Sequence, residues 1–226
     1  MRDIPFKTET NECHAIETEF CGYKFRSRLE ARWAVFFSVL GIEYKYEFEG
    51  FRVKVGPDEF VYYLPDFYLP EYDKYIEVKG GYNALTKDWE KITTCIDYNS
   101  TPLSNGLIIV GDIPDYTKIG WGNIPMFSYL YCDKGVRCEH AAFISGSTLK
   151  SQRTNNKILF HNNEILENIY GFDECNETET TPLLARTECT WTHESILSFE
   201  AEHFKKLKNA YKAARQARFE HGQKGE

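Results

Sequence analysis

The fold of this 226-residue chain is decided by Tyr62-Tyr63-Leu64-Pro65-Asp66 and Tyr75-Ile76-Glu77-Val78-Lys79-Gly80. Alternating residue character predicts a strand in each stretch, and Pro70 to Asp73 predicts the turn between them. Neighbouring strands lie about 4.8 Å apart, which brings directly opposed side chains within reach of each other. We therefore expect Asp66 and Glu77 to lie close enough to share one small ion.

A lysine on the second stretch completes this candidate site. Side chains alternate along a strand, so Glu77 and Lys79 are expected on one face, with Ile76 and Val78 pointing into apolar packing. Magnesium prefers oxygen ligands and keeps several waters, so one or two carboxylates are enough to bind it. A lysine beside the ion can orient or deprotonate a water, or stabilise developing charge. The pattern indicates phosphodiester hydrolysis with Mg²⁺ as the cofactor and Mn²⁺ as a substitute.

The sequence around these stretches predicts a mixed α/β fold. Ser27 is the expected N-cap of a first helix, and Gly41 is its expected end. The apolar run Leu107 to Val110 predicts a buried strand. The resulting order, α-β-β-β-α-β, describes a mixed sheet flanked by helices. The predicted helices are Phe25 to Leu40 and Ala84 to Tyr98, and the earlier strands are Glu43 to Phe48 continued by Phe51 to Val55, Glu59 to Leu69, and Lys74 to Val78.

A long amphipathic helix is predicted from Thr192 to Arg218. Its apolar stripe includes Leu207, Tyr211 and Ala214. This stripe could pair two chains in a homodimer, or it could pack on the protein's own sheet. The predicted segments of the chain are an N-terminal arm at residues 1–20, the α/β core at 21–118, an irregular α/β extension at 119–175, and a linker with the basic amphipathic C-terminal helix at 176–226.

Charge and cysteine content bear on nucleic-acid binding and on the cellular compartment. The net charge of −7 comes from 27 basic and 34 acidic residues, which does not point to nucleic-acid binding. It does not exclude such binding either, because the distribution of charge matters more than its sum. Seven cysteines without a tight framework suit a reducing compartment. Without an apolar run near the roughly 20 residues of a spanning helix, we expect a soluble cytoplasmic protein that does not act at a membrane.

Pro65-Asp66 followed by Glu77-Val78-Lys79 resembles the PD-(D/E)xK nuclease motif. The predicted element order is similar to the restriction-endonuclease-like fold of that superfamily, and the likeness covers roughly residues 22–111. The resemblance implies a metal-dependent DNA endonuclease, in phage DNA processing or defence. Asp66, Glu77 and Lys79 would be catalytic, and the two acids would bind Mg²⁺.

The first helix carries a second resemblance. Arg26-Ser27-Arg28-Leu29-Glu30-Ala31-Arg32-Trp33 is similar to resolvase-like and transposase-associated members, in which a glutamate on this helix completes the metal site. By that resemblance Glu30 is a further catalytic residue and metal ligand. Ser27-x-x-Glu30 is also a capping box, in which Glu30 would bond back to the Ser27 amide. The tail Ala213 to Glu220 resembles phage-encoded and prophage proteins of this type.

Two basic surfaces are candidates for contacting DNA. The favoured one surrounds the first helix and lies beside Glu30; its residues are Lys24, Arg26, Arg28 and Arg32. The other is the basic face between Lys205 and Arg218, which is a credible phosphate-contacting surface. That face is equally well explained as an ordinary solvated side of a helix.

One departure from the superfamily narrows the type of nuclease. RecB-type exonucleases carry a glutamine–tyrosine pair on the helix that follows the E-x-K strand. Here that helix reads Asn83-Ala84-Leu85-Thr86-Lys87-Asp88-Trp89-Glu90 and contains no glutamine, which argues against the exonuclease branch. The alternative to an enzyme is a catalytically silent module that binds nucleic acid or a protein as a regulator or inhibitor.

Several weaker candidates remain from the sequence. Lys87 could face phosphates, and Asp112 could reach the site from the end of a strand, although solvated and turn-capping roles are the more common ones. Cys132, Cys138 and His140 could suggest zinc. Their spacing is not a standard one and no fourth ligand is near, so core or loop cysteines are favoured.

Overall fold

The computed structural model describes residues 15–97, 101–118, 125, 127–132, 134–145, 158–162 and 200–219. Their helices and strands confirm the predicted mixed α/β class. In chain order they are β1 (Thr18–Phe20), β2 (Tyr23–Phe25), α1 (Arg28–Leu40), β3 (Lys45–Tyr46), β4 (Phe51–Lys54), β5 (Phe60–Tyr63), β6 (Phe67–Leu69), β7 (Lys74–Val78), α2 (Tyr82–Asp97), β8 (Leu107–Val110), β9 (Phe127–Cys132), β10 (Val136–Ser145), β11 (Ile158–Asn162) and α3 (Glu200–Gln216).

A seven-stranded mixed sheet forms the centre of the described structure, in the order β11-β10-β9-β8-β7-β6-β3. Strands β7 and β8 run parallel, and α2 makes the crossover between them. The Lys79 amide donates to the Val110 carbonyl at 2.8 Å, so the pairing continues one residue past β7. Strands β9, β10 and β11 belong to the same sheet and are regular, whereas the sequence predicted an irregular extension there.

The predicted strand from Glu59 to Leu69 is divided in two. Its first half, β5, pairs only with β4 in a separate hairpin, while β6 pairs with β7 in the main sheet. Pro65 lies at the division and has no amide hydrogen to donate to a ladder. The predicted strand Glu43 to Phe48 is likewise reduced to β3, because Glu47 takes a left-handed φ of 46°. Part of the predicted N-terminal arm, β1, pairs with β2.

Two apolar cores cover the two faces of the sheet. Helices α1 and α3 cover the face to which Ile76 and Val78 point. Helix α2 and the β4–β5 hairpin cover the face of Tyr75. As predicted, α1 begins after Ser27, whose side chain accepts from the Glu30 amide, and it ends at Gly41 with a φ of 72°.

The apolar stripe of α3 is used within the chain. Tyr211 is buried, and its ring lies 4.4 Å from that of Phe36 on α1, centroid to centroid. Leu207 and Ala214 are buried in the same core. The stripe therefore packs within the chain, mainly on α1 and also against β10 of the sheet, and this part of it is not free to pair two chains. Residues 192–199 of the predicted helix lie outside the described residues. No helix in the described part of the chain has both the length and the apolar character needed to cross a bilayer.

Candidate active site

Asp66 and Glu77 are brought together by the register of two antiparallel strands. Phe67 opposes Ile76, and the next position of this register sets Asp66 opposite Glu77. Both side chains are buried, with exposed fractions of 3% and 5%. The Val78 amide donates to Asp66 Oδ2 at 2.7 Å, so the sheet backbone itself orients this carboxylate.

The two acids are electrostatically unfavourable neighbours in the absence of a cation. Burial raises the pKa of Asp66 well above its ordinary range, and the negative charges of Glu77 and Glu30 raise it further. Burial also raises the pKa of Glu77, although Lys79 and the Tyr63 hydroxyl oppose that shift. A divalent cation would relieve both effects, because it favours the ionised form of each acid.

Lys79 lies on the same face as Glu77, as the alternation predicted. Its Nζ contacts Glu77 Oε1 at 2.7 Å and Asp88 Oδ2 at 2.5 Å, and 13% of its side chain is exposed. Burial lowers the pKa of Lys79, but Glu77 and Asp88 outweigh burial and the net shift is upward. The arrangement therefore retains the charged ammonium and favours orientation or charge stabilisation over proton abstraction.

Two residues of the site escaped the sequence analysis. The Tyr63 hydroxyl donates to Glu77 Oε2 at 2.7 Å, and Asp88 holds Lys79 from α2. Asp88 could have been found, because it is spaced three and four residues from the buried Leu85 and Ile92 and so shares their face. Nothing local separates Tyr63 from its neighbour Tyr62, since only the packing of the hairpin decides which ring faces inward.

Arg26 reaches the site, where the sequence predicted a contact to DNA. Its Nη2 contacts Asp66 Oδ1 at 2.8 Å, its Nε contacts Glu47 Oε1 at 2.7 Å, and 56% of its side chain is exposed. In this structure Arg26 therefore pairs with acids.

Glu30 caps the first helix, but not in the way the sequence predicted. Its carboxylate accepts from the Ser27 hydroxyl at 2.7 Å, the Arg26 amide at 3.2 Å and the Tyr46 hydroxyl at 2.6 Å, in place of the Ser27 amide. Its charge still raises the pKa of Asp66. Within the described ranges, no group of three or more His, Cys, Asp or Glu side chains is arranged to hold a metal ion. The ligand role of Glu30 stays a prediction.

The donor set suits a hard divalent cation. Asp66 and Glu77 offer carboxylate oxygens, which Mg²⁺ and Mn²⁺ prefer. Each oxygen has a donor in this structure, but a carboxylate oxygen can accept more than one contact. The bonds from Val78 and Tyr63 can persist beside an ion. The contact from Arg26 places a positive charge beside Asp66 Oδ1, and this charge would repel a cation bound there.

The other predicted DNA contacts lie on the β1–β2 hairpin and on α1. Lys24 pairs with Glu17 at 2.5 Å on the β1–β2 hairpin. Arg28 and Arg32 are half-buried on α1, and Arg32 Nε is buried without a hydrogen-bond acceptor among the described residues. Their contact with DNA stays a prediction.

The structure adds no support for the weaker candidate site residues. Lys87 and Asp112 are exposed, and in the described part of the chain no hydrogen bond or ion pair joins either to Asp66 or Glu77. Cys132 is a free thiol. The side chains of Cys138 and His140 lie outside the described residues, so the zinc alternative is untested.

Comparisons with protein-family models, with curated proteins and with solved structures found no match to this chain. The feature of the chain that most clearly indicates chemistry is a buried pair of opposed carboxylates with a charged lysine on one of them.

Proposed function

We propose that this chain is a metal-dependent DNA endonuclease of the PD-(D/E)xK type, built on a restriction-endonuclease-like core. The single observation that carries the proposal is the opposed, buried pair Asp66 and Glu77 with the Lys79 ammonium on Glu77. The core supports it, since the motif lies at β6 and β7, and α2 and β8 come next in the predicted order. A role in phage DNA processing or defence remains part of the proposal.

Each site residue has a role in phosphodiester hydrolysis. Asp66 and Glu77 would hold Mg²⁺, which when bound neutralises phosphate charge and acidifies water. The Lys79 ammonium orients the attacking water and stabilises charge that develops on the phosphate. The water oxygen bonds to phosphorus as one of its protons passes to solvent. The leaving oxygen takes a proton from solvent as its bond to phosphorus breaks.

Neighbouring residues hold these groups in position. The Tyr63 hydroxyl keeps Glu77 in place, and Asp88 keeps Lys79 directed at the site. Arg26 is exposed and adjoins Asp66, so it can pass from the carboxylate to a substrate phosphate. Glu30 adds negative charge that favours a cation, whether or not it contacts the ion.

A silent binding module is the second candidate, and one observation favours it. Arg26 already pairs with Asp66, and Lys79 already pairs with Glu77, so cations of the chain partly neutralise the acids. The nuclease remains the better proposal because the strand register sets the two acids directly opposite each other. Two separate internal ion pairs, Arg26 with Asp66 and Lys79 with Glu77, would not require the acids to be neighbours.

A cleavage assay tests the proposal. Linear, circular, branched and single-stranded DNA are incubated with the protein in Mg²⁺, Mn²⁺ or EDTA. We expect metal-dependent cutting that Asp66→Asn and Lys79→Met each reduce by about a hundredfold or more. Lys87→Met is the matched control, because it removes an exposed lysine of α2 and should cut normally. Normal cutting by Asp66→Asn, or no cutting of any substrate by the wild type, contradicts the proposal.

A further inference from the structure

We propose that the outer face of the β4–β5 hairpin binds unpaired bases, so that the substrate is DNA with a single-stranded segment. The outer hairpin face is defined by Arg52, Lys54, Phe60 and Tyr62. The inference rests on the proposed function, which it deepens by naming the class of DNA.

Strand register gathers two cations and two aromatic rings on this face. Arg52 opposes Tyr62, and Lys54 opposes Phe60. Directly opposed residues of an antiparallel pair point to the same side, so each cation stands across from a ring. The alternate residues, such as Val53 and Tyr63, are buried against the main sheet and α2. The outer face is therefore directed away from the core.

The two rings on this face, Phe60 and Tyr62, differ in their exposure to solvent. The Arg52 guanidinium lies 3.6 Å from the Phe60 ring centroid and 5.8 Å from that of Tyr62. The close contact explains Phe60 as one half of a structural cation–π pair. It does not explain Tyr62, whose side chain is 60% exposed. Tyr62 is a large ring presented to solvent beside a positive charge.

This combination suits single-stranded nucleic acid. Exposed rings stack on bases, and neighbouring cations contact the phosphates between them. Bases inside a duplex have both faces covered by their neighbours, so stacking on Tyr62 requires an unpaired base. The single-stranded partner follows from the pairing of rings with cations, because an apolar protein partner would not need the charges.

The outer hairpin face belongs to the hairpin that supplies Tyr63 to the candidate active site. Tyr62 lies four residues before Asp66 in the chain, and its neighbour Tyr63 donates to Glu77. The opposite end of the hairpin carries Asp58 and Glu59, whose charges repel phosphates. Single-stranded DNA is therefore expected to bind at the end of this face that carries Arg52 and Tyr62, away from Asp58 and Glu59.

Binding in EDTA tests the inference without requiring cleavage. Fluorescence anisotropy of the full chain is measured with a labelled oligothymidine of about 20 nucleotides and with a duplex of the same length. We expect Tyr62→Ala to weaken oligothymidine binding about tenfold and to leave duplex binding unchanged. Tyr62→Phe is the matched control, because it keeps the ring and should bind normally. Arg52→Gln should also weaken oligothymidine binding, and melting curves verify that each variant is folded.

Equal oligothymidine affinities for Tyr62→Ala and the wild type would overturn the inference, as would tighter binding of an RNA of the same length. The test separates this inference from the nuclease proposal, because binding in EDTA needs neither metal nor Asp66. If Tyr62→Ala binds normally but Asp66→Asn no longer cuts, the nuclease proposal is supported and binding of bases by the outer hairpin face is contradicted. If Tyr62→Ala binds weakly but Asp66→Asn still cuts, base binding by the outer hairpin face is supported and the nuclease site is contradicted.

Discussion

The Arg26 guanidinium contacts Asp66 Oδ1 at 2.8 Å, so a cation of the chain already pairs with one of the two proposed metal ligands. The same guanidinium contacts Glu47 at 2.7 Å, and its exposed position lets it move away from both acids. Metal binding to the DNA-free protein must therefore compete with an internal ion pair. When DNA is present, a phosphate offers Arg26 another anionic partner.

Replacing Arg26 should make the free protein bind metal more tightly. Arg26→Gln removes the competing charge from Asp66, and we expect the affinity for Mn²⁺ to rise about three- to fivefold, as measured by titration calorimetry without DNA. Arg52→Gln is the control, because it also removes an exposed arginine. That arginine contacts aromatic rings and does not contact Asp66. An unchanged or lower Mn²⁺ affinity for Arg26→Gln would show that the ion pair does not compete with metal.

The charge of Glu30 should strengthen metal binding, and its hydrogen bonds should stabilise helix α1. Glu30→Gln and Ser27→Ala both disturb the cap of α1, and each should lower the free energy of unfolding by about 1 kcal/mol. Only Glu30→Gln removes the charge that acts on Asp66, so only this variant should weaken Mn²⁺ binding and cleavage. Equal metal affinities for the two variants would assign Glu30 to capping alone.

Asp88 should act on the rate through Lys79. Asp88→Asn weakens the contact that directs the Lys79 ammonium, and we expect kcat to fall roughly tenfold with KM nearly unchanged. Asp88→Glu should restore part of the loss, because it keeps the charge. Glu90→Gln, at an exposed position of the same helix, is the control. A rise in KM without a fall in kcat would place Asp88 in substrate binding.

The raised pKa of Asp66 predicts how stability depends on pH. In metal-free protein, the folded chain keeps a proton on Asp66 at pH values where the unfolded chain, with an ordinary pKa near 4, has released it. The contribution of Asp66 to stability is therefore present at low pH and lost as pH rises through the folded pKa. Asp66→Asn cannot titrate, so its melting temperature relative to the wild type should rise as the pH is increased from about 4 in EDTA. A constant difference across this range would contradict the shift.

Local periodicity predicted the parts of the structure that depend on nearby residues. The cap at Ser27 and the end at Gly41 follow from the chemistry of a few neighbouring groups. The shared face of Glu77 and Lys79 follows from strand alternation. The opposition of Asp66 and Glu77 follows from a short turn between paired strands.

Contacts between distant segments could not be predicted in this way. Arg26 and Asp66 are 40 residues apart in the chain, and only the docking of α1 on the sheet brings them together. The predicted strand is divided at Pro65 because β5 joins the hairpin and β6 joins the main sheet. Strand propensity does not specify which sheet a segment joins, so it could not predict this division. The packing of α3 on α1 was left open for the same reason, because an amphipathic stripe does not specify its partner.

The central claim is that Asp66 and Glu77 share one divalent cation, and a crystal soaked in Mn²⁺ tests it most directly. The account predicts one anomalous difference peak about 2 Å from a carboxylate oxygen of each acid, with the Arg26 guanidinium displaced from Asp66. A peak that contacts only one of the two acids, or no peak with Arg26 still on Asp66, would contradict it.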